Sequence, residues 1–500
     1  MIEEAIFIGY LIFLLIVGWL GTRRTKTGED FYVAGRKMGA WVLAFTHEAS
    51  IMSGWVFLGA AGFVYEHAVA GTWVVPGDVL GTLMVLILCG ILVHRIGKLT
   101  GAISVIDVLE ARYYDEDKRI IRLILTLVIL FASWAYVVSQ LVAGGKTLEF
   151  FFGWKYGYAV VIVGMIIILY TMASGMLAVA WTDFVQGLLM LIGLSLAIIV
   201  ALKEVGGFAP MLDKLHAMDP SYTKLAPNFL VTMLSFTVLL GSGTFGYLGQ
   251  PHIHARYLAA KDEKTIANAT VISVVVISIF MIGAALGGLA GKVLWPDPSV
   301  FPRGDPEYVL LQLFRYAFSP AMAALFTTAV LAGAMSTADS WLLVASTSAS
   351  WDFYKQYLRK PIDQKKQVNI ARITTLVLGF LAILFSFKPE SVFWLVALAW
   401  GTFASAIGPP LVLGLYWKRA TRKGALVSII VGAIVNAAWH YAGLEAYSHP
   451  AVPGMAAATI ALVVISLLDK EPPKKAQDLV VYARTGKLPE DSEWKQLQAS

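Results

Sequence analysis

The sequence contains one cysteine, Cys89, and few charged residues, since Asp, Glu, Lys and Arg make up 14% of its 500 positions. A single cysteine excludes an intrachain disulfide framework. The low charge content accompanies 58% hydrophobic residues and a mean hydropathy of +0.70. This balance excludes a soluble multidomain protein and predicts a polytopic membrane protein.

Several motifs that would indicate other activities are also missing. No Gly-rich phosphate loop with its lysine is present, which argues against ATP-driven transport. The stretch HEASI, from His47 to Ile51, begins like the H-E-x-x-H helix of zinc peptidases, but Ile51 occupies the position of the second histidine. We therefore predict that the protein is not an enzyme. The basic residues cluster in short loops between apolar runs, so the net charge of +6 does not indicate a nucleic-acid partner.

Apolar runs of the ~20 residues needed to cross hydrocarbon predict about thirteen membrane spans. They lie near residues 4–21, 39–63, 73–94, 121–145, 157–175, 178–202, 227–250, 267–292, 319–350, 369–387, 392–417, 423–443 and 453–468. The first span follows Glu3 and Glu4 and precedes the basic stretch RRTK, which predicts a retained span and not a cleaved signal peptide. Lys/Arg clusters fall on alternate loops, which predicts an external N-terminus and a cytoplasmic C-terminus in the cell membrane.

The distribution of these spans predicts one transmembrane transporter domain over residues 1–468 and a cytosolic tail over residues 469–500. The tail is polar and punctuated by proline, which is typical of a short extension without a domain of its own.

Polar islands interrupt the apolar spans, and each must find partners or water inside the bilayer. They are His47–Trp55, Tyr136–Gln140, Ala180–Gly187, Gly241–Pro251 and Met335–Ser340. Serines and a glycine in the second span, and four glycines before Pro251 in the seventh, predict two interrupted helices five spans apart. This spacing favours inverted five-helix repeats at about 39–202 and 227–417, within a core of about 39–417. The alternative is that the glycines serve only close helix packing.

Four motifs in order carry a family resemblance: DFYVAGRKMGAWVLAF from Asp30, WTDFVQ from Trp181, GYLGQPHIHARYLAA from Gly246, and AMSTADSWLLVASTSASWDFY from Ala334. Together they resemble the sodium/solute symporter family, closest to its sodium/proline symporter branch. The resemblance implies an all-α membrane protein with a leucine-transporter-type core of ten helices, preceded by one helix and followed by two. It also implies symport of a small solute by alternating access.

The resemblance implies a sodium site at the break in the second span. Its ligands would be three carbonyl oxygens and two hydroxyls, those of Ala49, Met52, Gly333, Ser336 and Thr337. Neutral oxygens of this kind suit a hard monovalent cation. Asp183 matches a family aspartate near the cation path or a second ion site. Its alternative interpretation is a helix N-cap.

This chain departs from the proline branch at Ile51, where that branch carries an aspartate beside the ion. Glu48 and Asp339 are acids nearby and become candidates for coupling. Three interpretations remain open at this stage: these acids replace the lost charge next to sodium, one of them carries a proton and makes the symporter proton-coupled, or Glu48 forms a structural ion pair. A transporter-like sensor without net transport is a further alternative.

The resemblance places Tyr136 and Tyr247 at the substrate site, and Gln140 and Trp55 are added as polar and aromatic candidates. Gly243 stands where proline-specific members have a tryptophan, which predicts a larger or differently shaped pocket. Half-helix N-termini at the breaks would favour a substrate carboxylate. The expected solute is therefore a proline-like amino acid or a monocarboxylate. The expected partners are this solute, sodium and the lipid bilayer, and a monomer would suffice.

Overall fold

The computed structural model describes residues 2–24, 28–173, 175–360 and 363–495. Within these ranges the chain is built from helices and contains no β-strand, and Met38 and Ala260 form an isolated backbone bridge. Lys26, in the first basic loop, and residues 496–500 of the predicted tail lie outside the described residues.

The first half of the chain contains ten main helices. They are α1 (Ile2–Arg24), α2 (Gly28–Val33), α3 (Ala40–Ile51), α4 (Ala61–His67), α5 (Val74–Val85), α6 (Ile91–Thr100), α7 (Val105–Tyr113), α8 (Ile120–Phe152), α9 (Tyr156–Ala173) and α10 (Met176–Val205). Wider π-helical turns at Val56–Ala60 and Leu86–Gly90 lead into α4 and α6, so α5 and α6 form one long helical element.

The second half contributes eleven more helices. They are α11 (Phe208–Met218), α12 (Phe229–Val238), α13 (Pro251–Ala259), α14 (Glu263–Leu294), α15 (Val309–Ala317), α16 (Pro320–Thr347), α17 (Gln364–Phe385), α18 (Val392–Tyr416), α19 (Arg422–Tyr441), α20 (Ala451–Leu468) and α21 (Lys474–Thr485). A π-helical turn at Leu239–Thr244 and a 3₁₀ turn at Gly246–Gly249 separate α12 from α13.

Among the described residues, ten helical segments are long and apolar enough to cross a membrane, and two shorter apolar helices lie at Ala5–Leu14 and Tyr156–Met172. The predicted loop between the second and third spans is instead a 3₁₀ turn, Ala68–Trp73, which leads directly from α4 into α5. One segment, Val56–Thr100, therefore covers the second half of the second span and the whole of the third.

The helices α16 and α18 lie at the centre of the molecule, whereas α17, α19 and α20 lie towards its outside. The long helix α8 packs against both central helices. On the other side of α16, α10 packs against α3 and α14. The polar islands on α3, α8, α10, α13 and α16 are thereby brought together in the interior.

The tail after α20 is folded onto the body of the protein. Its helix α21 packs against α6, α7 and α18, and Leu479 and Ala483 are buried there. Beyond α21, the indole of Trp494 donates a hydrogen bond to the carbonyl oxygen of Lys475 at 2.9 Å and is itself buried. The polar composition of this segment reflects a docked amphipathic helix, whereas the sequence predicted only an extension.

Candidate functional site

The break in the second span lies directly after α3. Met52 leaves helical geometry at φ −80° and ψ 53°, and the chain resumes a helical path at Gly54. The Ser53 hydroxyl accepts a hydrogen bond from the backbone N–H of Trp55 at 3.0 Å. The N–H of Gly54 donates to Oε1 of Gln140 on α8, also at 3.0 Å. Gln140 thus satisfies a backbone group that the break releases, which is required inside a membrane.

The predicted sodium ligands meet at this break. Ser336 and Thr337 of α16 donate hydrogen bonds to the carbonyl oxygen of Ala49 at 2.8 and 3.1 Å. Ser336 Oγ also lies 3.1 Å from the carbonyl oxygen of Gly333. The absence of a side chain at Gly333 lets α16 lie close to the break, since a Cβ there would be 3.2 Å from the carbonyl oxygen of Ser53.

These oxygens form a suitable site for a hard monovalent cation. All of them are buried and uncharged, and the two hydroxyls can turn their lone pairs towards a cation. Met52, the fifth predicted ligand, lies on the break itself, where its non-helical ψ turns its carbonyl away from the α3 axis. A cation bound here would join α3 to α16.

A second buried polar group surrounds Asp183, eight residues into α10. Asp183 Oδ2 accepts hydrogen bonds from Thr46 Oγ1 at 2.6 Å and from Arg256 of α13 at 3.0 Å. Arg256 also donates to Ser340 Oγ at 2.8 Å. The N-cap interpretation of Asp183 is therefore wrong, because Gly175 precedes the helix and Asp183 forms a buried ion pair inside it.

Asp339 lies in the same region, next to Tyr170, Asp183 and Arg256. It is fully buried, so two carboxylates share the charge of one guanidinium. Neither Asp183 nor Asp339 hydrogen-bonds to the oxygens around Ala49. Both carboxylates nonetheless lie between α10, α13 and α16, so they remain candidates for ion coupling.

The Glu48 carboxylate hydrogen-bonds to His47 and not to the Ser336 or Thr337 hydroxyl. Its Oε1 accepts a hydrogen bond from His47 Nδ1 at 2.9 Å, and His47 Nε2 lies 3.3 Å from the hydroxyl of Tyr257. This arrangement favours the interpretation of Glu48 as a member of a structural ion pair.

Aromatic rings fill the interior between the two breaks. Tyr136 stacks on Trp341 at a centroid distance of 4.8 Å, and Tyr247 meets Trp400 edge-on at 5.1 Å. The indole of Trp400 donates to the carbonyl oxygen of Ser242 at 2.8 Å, at the break in the seventh span. The two predicted substrate tyrosines thus belong to one cluster that spans α8, α16, α18 and the interrupted helix.

Two of the proposed substrate residues have other surroundings. Trp55 stacks on Phe393 at the start of α18, at 5.9 Å. Gly243 does not enlarge a pocket, because a Cβ built on it would lie 2.1 Å from the backbone carbonyl carbon of Gly77. The lack of a side chain at Gly243 instead lets α5 touch the interrupted helix, which corrects the prediction from the sequence.

Sequence reasoning missed Asp78. This residue lies in α5 with a fully buried carboxylate whose Oδ1 accepts a hydrogen bond from the hydroxyl of Tyr247 at 2.9 Å. The available signal was a lone acid in the apolar run VVPGDVLGTLM. An ionisable residue inside a membrane span is by default a candidate for function.

Ion pairs close the interior at both ends. At the loop before α15, Lys146 pairs with Glu307 at 2.6 Å, and Glu307 accepts from the backbone N–H groups of Val392 and Phe393 at 3.0 and 2.9 Å. At the opposite end, Arg122 pairs with Asp352 at 2.8 Å. A small cavity of about 30 Å³ lies between this second group and the Asp183 pair, and it is lined in part by Ser104, Arg256 and Ser340.

Comparisons with known proteins agree with this geometry. Residues 31–432 match the model of the Sodium:solute symporter family. The sodium/proline symporter of Escherichia coli is 34% identical over 470 residues, covering 93% of this chain and 92% of that protein. The osmoregulated proline transporter OpuE of Bacillus subtilis is 32% identical over 486 residues, covering 96% and 97%.

Among solved structures, a Na⁺-coupled sialic acid symporter superposes with a TM-score of 0.74 at 22% identity, covering 95% of this chain and 99% of that one. Mhp1, a nucleobase-cation-symport-1 family transporter, has a TM-score of 0.50 at 15% identity, covering 92% and 100%. These similarities confirm the predicted leucine-transporter-type fold. The chain belongs to the sodium:solute symporter family and is a multi-pass membrane transporter that couples the movement of a small solute to sodium.

Proposed function

We propose that this symporter imports a proline-like amino acid together with sodium by alternating access. The similarity to proline transporters over more than nine-tenths of the chain supports the substrate class. The observation that carries the coupling step is the meeting of Ala49, Ser336 and Thr337 at the break in the second span.

In this proposal sodium replaces the hydrogen bonds that the two hydroxyls make to Ala49, and it holds α3 against α16 in the geometry that accepts the solute. Sodium binds this conformation more tightly than the other conformations, and this difference in affinity shifts the conformational equilibrium towards it. Tyr136 and Tyr247 line the solute's position. Asp183 and Asp339 supply negative charge on the cation path.

The arrangement of the chain in the membrane forms part of the proposal. Residues 39–202 and 227–417 are the two inverted repeats of one transporter domain that ends near residue 468. The N-terminus lies outside the cell membrane, and residues 469–500 lie in the cytosol. A monomer suffices for transport, because every proposed ligand belongs to one chain.

Uptake of labelled solutes into proteoliposomes tests the proposal, with sodium and proton gradients imposed separately. We expect an inward sodium gradient to drive proline uptake and a proton gradient alone to drive none. Sodium-driven uptake of a monocarboxylate in preference to every amino acid would contradict the substrate class. Saturable binding without accumulation would instead indicate a sensor.

A further inference from the structure

Asp78 lies in an unusual position for a carboxylate. It sits in the middle of α5, is fully buried, and is bonded through one oxygen to Tyr247. Its other oxygen, Oδ2, makes no hydrogen bond within the part of the chain that the structure describes. A buried carboxylate is costly unless its charge and lone pairs are satisfied.

The surroundings of Asp78 provide no cation in the described ranges. The ionisable side chain acting on it besides Tyr247 is Glu48, whose charge has the same sign. His47 is engaged with Glu48, and Arg256 is engaged with Asp183. The Asp78 carboxyl group therefore lies against the Tyr247 hydroxyl of the interrupted seventh span with one oxygen unpartnered and no cation beside it among the described residues.

A second buried polar group accompanies Asp78. Thr82 lies one helical turn further along α5, so both side chains are on the same face of that helix. The Thr82 hydroxyl is buried and lies beside the Tyr247 hydroxyl. Two buried polar side chains of α5 therefore converge on Tyr247.

We infer that Asp78, with Thr82 and Tyr247, forms a subsite for the positively charged amine of the transported solute. A substrate ammonium would supply the missing countercharge to Asp78 and a donor to Thr82. The aromatic rings of Tyr247 and Trp400 beside this position suit an organic cation. This inference rests on the proposed function and narrows its substrate class, because a monocarboxylate has no group to place here.

The test compares inhibitors of sodium-driven uptake of labelled proline. Cyclopentanecarboxylate has the ring and carboxylate of proline but lacks its nitrogen. In the wild-type protein we expect proline to compete about tenfold or more better than this analogue, as the loss of one hydrogen bond to a charged group predicts. In Asp78→Asn this ratio should fall towards one, whereas the sodium concentration for half-maximal uptake should stay unchanged.

The matched control is Asp115→Asn, in the turn between α7 and α8, which removes a buried carboxylate that has its own arginine partner, Arg422. This variant should retain the preference for proline over the analogue. If Asp78→Asn does not fold, the wild-type competition still decides whether an amine is required. Thr82→Ala, which should lower the ratio about threefold, then assigns the requirement to this face of α5.

The outcomes separate the two proposals. Sodium-driven proline uptake with equal competition by cyclopentanecarboxylate would leave the proposed function intact and overturn the amine subsite. A changed sodium dependence in Asp78→Asn with an unchanged inhibitor ratio would also overturn it, because the cation at Asp78 would then be a second sodium ion. Absence of any sodium-driven amino-acid uptake in the wild-type protein would contradict the proposed function itself.

Discussion

The hydroxyl of Thr337 lies 3.1 Å from the carbonyl oxygen of Ala49, although 288 positions separate the two residues in the chain. Together with Ser336, this contact attaches the central helix α16 to the frayed end of α3. A cation bound at these oxygens would contact both helices at once. Cation binding and the contact between these two helices are therefore linked.

Removing either hydroxyl should weaken sodium binding. We expect Ser336→Ala and Thr337→Ala each to raise the sodium concentration for half-maximal uptake roughly five- to tenfold, the effect of losing one oxygen contact worth about 1 kcal/mol or slightly more. The measurement is initial uptake into proteoliposomes at varied sodium concentrations.

Thr328→Ala is the control for this series, because the Thr328 hydroxyl is buried on the same helix but bonds only to Ala324 of its own preceding turn. It should leave the sodium dependence unchanged. An unaltered sodium dependence in both site variants would refute the proposed ligand set.

Arg256 compensates the charge of the buried carboxylates next to α13. Arg256→Gln should lower the thermal stability of the purified protein strongly, because breaking a buried pair from one side costs roughly 3–5 kcal/mol. Adding Asp183→Asn should restore part of this loss, since the carboxylate is then no longer left unpaired. Equal stability of Arg256→Gln and of the double variant would show that an unpaired Asp183 does not destabilise the protein. Arg359→Gln, at an exposed guanidinium, is the control.

Gly243 should tolerate no side chain. A Cβ at this position would lie 2.1 Å from the carbonyl carbon of Gly77, closer than van der Waals contact allows. Gly243→Ala should therefore abolish uptake or prevent folding, measured by transport and by the yield of monodisperse protein. Gly9→Ala has open space around the new methyl group and should be neutral. Normal transport by Gly243→Ala would mean that α5 and the seventh span are not in this contact.

Glu307 connects α8, the loop before α15 and the start of α18. Glu307→Gln removes its charge pairing with Lys146 and places an amide N–H₂ next to backbone donors of α18. We expect the melting temperature in detergent to fall, in line with a cost of about 1–3 kcal/mol for a disrupted buried hydrogen-bond group. The same change at the exposed Glu390 should have no effect, and equal melting temperatures for both variants would contradict this role.

The sequence predicted the elements of the fold because its signals are local. Apolar length located the spans, and glycines or serines located both breaks, at Met52 and at Gly243. The proposed sodium ligands were implied by the family resemblance, and the structure brings Ser336 and Thr337 to Ala49.

The parts that the sequence did not predict depend on contacts between distant positions. Asp78 becomes meaningful only through Tyr247, which is 169 positions away. The role of Gly243 depends on which backbone lies opposite it. The sequence alone does not distinguish a glycine that leaves a cavity from one that lets another helix pack closely. The burial of the tail was not predicted for a similar reason. The polar residues of α21 dominate its composition, although its apolar face is buried against the body of the protein.

The contact between α5 and the interrupted seventh helix also constrains how the molecule can move. Gly77 meets Gly243 backbone to backbone, and the ring of Tyr247 covers Gly81 at less than ordinary contact distance for a side chain there. This close fit favours joint movement of the two elements during the transport cycle. The contact between α3 and α16, by contrast, consists of a few exchangeable hydrogen bonds and is the surface at which we expect displacement.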